Sequence, residues 1–198
     1  MPAKRATTPS RHGGYTTPKP GGRTEQVILF RIGQQAFAIS ANVVQEIRST
    51  DNLAVSAAEL PGPEFKQVRH TIVRGRRTIY VVHGATLFGL PSTTATLVFL
   101  LRRSRAALLV DTIDRMATIS RLIALPQAFC GEERSWYRGL AAMEDTVVPV
   151  VNPDGLLSPS QLERLDAALA AKREADETDR AAEASAAEDE TEGEQTTT

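Results

Sequence analysis

The chain has 198 residues, 41% of them hydrophobic and 5% aromatic, with a formal net charge of -1. That length suits one compact domain with its own core and some chain to spare. The lone cysteine, Cys130, excludes an internal disulfide and a multi-cysteine metal site, and it fits a reducing, cytoplasmic setting.

Residues 1–24 are rich in Pro, Thr, Gly and Arg. Pro18-Lys19-Pro20-Gly21-Gly22 offers too little apolar surface to offset the entropy of ordering, so 1–24 is expected to be a disordered basic arm. Through residue 25 there are five Lys/Arg against one Glu. No apolar core of a secretory signal is visible there, and no later run approaches the ~18–20 apolar residues of a membrane span, so no direct membrane insertion is expected.

From residue 25 the texture changes to short β-prone runs separated by turn signals. Residues 26–32 read as a strand, Gly33-Gln34-Gln35 turns the chain, and 36–39 return. A short turn at 40–43 leads to a strand at 44–48. Residues 51–66, with Pro61-Gly62-Pro63, read as an irregular loop. Residues 68–73 and 78–82 form a hairpin around Arg74-Gly75, and 96–101 and 106–110 another across Arg103-Ser104. Residues 115–121 alternate as a strand, and 136–143 pairs with 146–151 across Glu144-Asp145. About ten strands at hairpin spacing predict an all-β domain over 25–158.

Ser158, Pro159 and Gln161 form a capping-box start with proline at the first helical position. Leu162, Leu165 and Leu169 share one helical face, which predicts a short amphipathic helix over 159–172. The stretch 173–198, rich in Ala, Glu, Asp and Thr, is expected to be a disordered acidic tail. Residues 159–198 hold four basic and twelve acidic residues, so charge is segregated between the two ends.

The search for chemistry finds no catalytic constellation. His12 lies in the arm, and His70 and His83 do not sit at ligand spacing with Cys130 or a carboxylate pair. Cys130, in Phe129-Cys130-Gly131, reads as a small buried residue. Asp111 and Asp114 bracket Thr112-Ile113 as turn starters. Gly13-Gly14 and Gly21-Gly22 lack the strand and helix that a phosphate loop requires. Neither a cofactor nor an enzymatic reaction is implied. A basic cluster does stand out: Arg69, His70, Arg74, Arg76 and Arg77 on one hairpin, with Arg102, Arg103 and Arg105 on another. Small β-barrels bind nucleic acid through such patches when aromatics are interleaved for stacking. Only Tyr80 is close, so nucleic-acid binding is the alternative reading and solvated hairpin tips the preferred one.

Several patches recur in an order that resembles the CheW family of chemotaxis coupling proteins. They include Phe30-Arg31-Ile32-Gly33 through Phe37-Ala38-Ile39, then Val44-Gln45-Glu46-Ile47, Val73-Arg74-Gly75, and Leu87-Phe88-Gly89-Leu90-Pro91. Leu109-Val110-Asp111 with Ile113, Tyr137-Arg138-Gly139-Leu140-Ala141, and Asn152-Pro153-Asp154-Gly155-Leu156-Leu157 complete the series. The resemblance spans residues 26–157. It implies two small five-stranded SH3-like β-barrels packed around a shared core, followed by the short helix. It also implies a non-catalytic adaptor joining a chemoreceptor's cytoplasmic tail to a CheA-type histidine kinase. Val44, Glu46, Arg74 and Gly75 fall on motif positions tied to structural integrity and receptor contact. Glu46 and Arg74, opposite in charge on strands expected to be neighbours, are expected to form an ion pair. Where the family carries a proline and an acid after Arg-Gly, this chain has Tyr80 and His83. Those departures are expected beside partner-binding surfaces, so they put the identity of the partners in question and suggest a pilus or gliding system.

Overall fold

The computed structural model describes residues 24–52, 56–57, 65–91, 94–143 and 146–192. The glycine pairs and His12 of the arm, Pro61-Gly62-Pro63, Glu144-Asp145 and residues 193–198 lie outside them.

In chain order the strands are β1 (Glu25–Ile32), β2 (Gln35–Ser40), β3 (Val44–Ser49), β4 (Ser56–Ala57), β5 (Val68–Arg74) and β6 (Arg77–His83). After the one-turn helix α1 (Gly84–Leu87) come β7 (Leu97–Leu101), β8 (Ala106–Val110), β9 (Thr112–Ile119), β10 (Leu122–Ile123), β11 (Tyr137–Met143) and β12 (Thr146–Val151). Helix α2 (Pro159–Glu192) follows. They form two sheets, ordered β10-β11-β12-β2-β1-β9 and β3-β7-β8-β6-β5-β4. The fold is thus all-β, with two small barrels of five full strands each. The two-residue strands β4 and β10 add a sixth to each sheet. The second barrel is inserted between β2 and β9 of the first. Each barrel contains one parallel pair, β2 with β12 and β6 with β8, among otherwise antiparallel neighbours.

Several strands are apolar on both faces, and the packing gives the reason. On β1, Val27 and Leu29 point into the first barrel's own core with Ala38, Ile119, Ala141, Val148 and Val150. The alternate residues Ile28, Phe30 and Ile32 point the other way, into a core shared by both barrels. On β8, Ala107 and Leu109 fill the second barrel with Val81, Val98 and Leu100, while Ala106, Leu108 and Val110 join the shared core. The period-2 alternation is still present, but it separates one core from another rather than core from solvent. Phe30 and Phe99 meet at the joint, edge to face, with ring centroids 5.3 Å apart. An aromatic series continues outward through Phe37, Phe88 and Tyr137.

Two expectations are corrected. The pair Asp111 and Asp114 does not open a turn, because β9 begins at Thr112 and continues through Asp114. A bulge opposite Leu29/Phe30 leaves Asp114 out of register, and its carboxylate takes a hydrogen bond from Arg31 Nε at 2.9 Å. Cys130 is exposed rather than buried, because it is Phe129 that turns inward against Tyr137. The helix expected over 159–172 opens α2, which runs 34 residues to Glu192. Its capping box forms as the residue pattern predicts: Ser158 N–H donates to Gln161 Oε1 at 2.8 Å, and Gln161 N–H to Ser158 Oγ at 3.2 Å. Its packed part holds Leu165 buried, with Leu162, Ala168 and Leu169 against the shared core. Past Leu169 an Ala/Glu-rich composition of high helix propensity extends the helix without an apolar face.

Candidate interaction surface

The four residues singled out from the sequence gather at one end of the second barrel, in different environments. Val44 opens β3 opposite Leu101 and is buried, so its part is packing. A bulge at Gln45 shifts the register so that Glu46 pairs with Leu100, which turns its carboxylate toward the barrel end. Glu46 Oε1 accepts a hydrogen bond from Arg48 Nε at 2.7 Å, while Arg74 Nη1 stands 3.8 Å from Oε2. The expected Glu46–Arg74 pair therefore exists, but Arg48 is the closer partner. Nor are the two strands neighbours: β7, β8 and β6 lie between β3 and β5 in the pairing order. The curl of the sheet brings the two residues together, so the pair spans the gap between first and last full strands. The hydrogen bond from Arg48 is the leading reason that the Glu46 carboxyl is held below its usual range.

Gly75 occupies the first position of the two-residue β5–β6 turn with φ of 62°, and nothing lies within 4 Å of where a Cβ would stand. Only backbone conformation requires glycine here, as in a type II′ hairpin turn. Beside these polar groups, Ile47 and Val73 are exposed large apolar side chains, at 39% and 62%.

The two arginine hairpins converge. Strands β6 and β8 pair in parallel, with Tyr80 opposite Ala106, so the Gly75-Arg76 tip and the 102–105 loop lie at the same end of the barrel. Between them is a hollow of 180 Å³ lined by Arg74, Arg77, Arg103 and Arg105, with Ile79 and Leu101 at its floor. Arg103 adopts a left-handed φ of 56°, uncommon for a residue other than glycine. The sequence showed two separate basic hairpins, and only the parallel pairing makes them one surface. Tyr80, the one aromatic available for base stacking, is fully buried.

Tyr80 belongs instead to a network that the sequence did not reveal. Its hydroxyl donates to Asp166 Oδ1 of α2 at 2.7 Å, and Arg105 donates to both oxygens of the same carboxylate. The Arg105 guanidinium also lies 5.4 Å from the centroid of the Tyr80 ring. Hydrogen bonding from Arg105 holds Asp166 below its usual pKa, while burial, reinforced by that carboxylate, pushes the Tyr80 hydroxyl up. His83 is likewise internal, capping α1 by accepting from Thr86 N–H at 3.4 Å. The two departures at Tyr80 and His83 are thus both buried, Tyr80 tied to α2 and His83 capping α1. A spacing of 86 positions between Tyr80 and Asp166 left no local signal of the network.

Among the described residues, no group of three or more His, Cys, Asp and Glu side chains gathers as a metal site. No described helix is long and apolar enough to cross a membrane.

Residues 26–161 match the family described as CheW-like domain. The chain belongs to the CheW-like family. Among solved structures, the fold is similar to that of the scaffolding protein TtCheW from Thermoanaerobacter tengcongensis, with a TM-score of 0.58 at 13% identity. That similarity covers 69% of this chain and 94% of TtCheW. No curated protein matches the sequence. The CheW-like region ends within the first turn of α2, so most of that long helix lies beyond the part that carries the family likeness.

Proposed function

We propose that this chain is a non-catalytic scaffold that couples chemoreceptors to a CheA-type histidine kinase, with Glu46, Arg74 and the Gly75 tip on the receptor-facing surface. The observation that carries this reading is the CheW-like match over the whole two-barrel body, supported by the likeness in fold to a scaffolding CheW. Ile47 and Val73, exposed on the strands that carry Glu46 and Arg74, add apolar surface to an end whose charged pair can fix register. Val44 supports that surface from within. Work at the cytoplasmic side of receptor arrays fits this role.

The test is reconstitution of the purified full chain with its cognate kinase and with receptor held in lipid vesicles. The wild-type chain should carry the kinase down with the vesicles. Glu46→Lys and Arg74→Glu should each weaken receptor binding about tenfold or more through like-charge contacts, and the double charge swap should recover part of the loss. A wild-type chain that binds neither partner sinks the proposal.

A further inference from the structure

The hollow at the end of the second barrel holds more positive charge than its neighbours neutralise. Arg74 is shared with Glu46 and Arg105 is bound by Asp166. Arg76, Arg77, Arg102 and Arg103 make no ion pair among the described residues, although Asp154 lines the adjoining hollow with Arg102 and Arg103. The Arg105–Asp166 pair shows that a carboxylate carried on a helix fits against this wall, held bidentately.

The complementary charge is on the same chain. Residues 173–198 contain ten Asp/Glu and two Lys/Arg. Residues 173–178 are exposed, and the helix has no apolar stripe after Leu169. A helix polar all round is marginal by itself and gains from something that orders it. It cannot turn back into its own hollow while it stays continuous. From Asp166, anchored at the hollow, to Glu192 it extends roughly 40 Å at 1.5 Å per residue.

We propose that the acidic helix of one copy docks into the arginine hollow of a second copy, an association of head to tail. Acidic residues along that helix would meet Arg77 and Arg103, with Arg76 and Arg102 at the rim. Because donor and acceptor surfaces differ, each copy retains a free helix and a free hollow, so the contact generates chains rather than a closed pair.

The test uses the full chain and follows mass against concentration by sedimentation at about 0.05 M and about 0.5 M salt. Wild-type protein should grow with concentration at low salt and return to monomer at high salt. Arg77→Glu/Arg103→Glu and Glu188→Lys/Asp189→Lys/Glu190→Lys should each weaken self-association about tenfold or more. The second variant alters only helix beyond the packed body, so it tests the contact without risk to the fold. Mixed together, the two variants should form one-to-one pairs and nothing longer, since one intact hollow and one intact helix remain. A wild-type monomer at low salt overturns the proposal, as does self-association unaffected by the helix variant. Tight binding of a single-stranded oligonucleotide that the helix variant leaves unchanged, without self-association, assigns the hollow to nucleic acid and overturns it too.

Discussion

Two hairpin tips, Gly33-Gln34 on the first barrel and Gly75-Arg76 on the second, share a two-residue loop with glycine in the left-handed region at its first position. Their surroundings differ. The Gly33 N–H donates to Asp111 Oδ2 at 2.7 Å, and the neighbouring Arg31 is bound by Asp114, so the first tip is tied to β9 and its charge is matched. The second tip meets nothing at Gly75 and presents Arg76 and Arg77. The same turn closes a structural seam in one barrel and displays charge in the other. Backbone geometry alone does not separate the two uses, whereas the partners of the flanking side chains do.

The largest expected effects test whether the barrels are one body. Phe30→Ala and Phe99→Ala, on either side of the shared core, should each cost about 3–5 kcal/mol. Each should lower a single cooperative unfolding transition followed by circular dichroism. Two separate transitions would show that the barrels melt independently and that the shared core does not join them.

Effects of intermediate size address the tips themselves. Asp111→Ala removes the acceptor of a part-buried N–H and should cost about 1–3 kcal/mol, read from the urea midpoint. Gly75→Ala should cost about 1–2 kcal/mol from the left-handed φ alone, since there is space for the methyl group. Arg76→Ala should leave stability within about 0.5 kcal/mol. A large loss from Arg76→Ala would mean that the second tip is as structural as the first.

The smallest effects come with pH. Hydrogen bonds from Arg138 and from Arg105 hold the carboxyls of Glu25 and Asp166 below their ordinary values. Their contribution to stability is complete above about pH 5 and disappears as pH falls through the lowered values. Asp166→Asn should flatten that acid dependence of the melting temperature. At the other extreme, burial and then the Glu133 carboxylate push Tyr137 up to about 12. That contribution is complete below about pH 10 and is lost as pH rises toward the folded value. In a Tyr15→Phe background, tyrosinate absorbance should therefore stay low around pH 10. Full ionisation there would remove the buried environment assigned to Tyr137.

Much of the fold was legible because its signals are local. The hairpins at Gly33 and Gly75, the capping box at Ser158 and the leucine face of α2 each follow from residues a few positions apart. The parallel pairs β2–β12 and β6–β8 leave no local mark, so the sequence could not show that the two arginine hairpins share one end. For the same reason Glu46 and Arg74 read as neighbours in pairing when the curl of the sheet brings them together. Asp166 was legible only as a polar position on α2, because its partners Tyr80 and Arg105 come from strands far earlier in the chain. Cys130 was misplaced since burial in a loop depends on which neighbour turns inward, and here Phe129 does.

The insertion of the second barrel between β2 and β9 also sets an order of assembly. During synthesis the β1–β2 hairpin emerges first, yet both of its outer neighbours, β9 and β12, come after the whole second barrel. The second barrel has all its full strands once β8 is made, and its β7–β8 and β5–β6 hairpins close over short loops. It should form first, leaving β1 and β2 as exposed sheet edges until the last strands arrive. The first barrel is then completed around a finished second one, and the delay falls on the apolar edges of β1 and β2, where nascent chains are most open to mispairing.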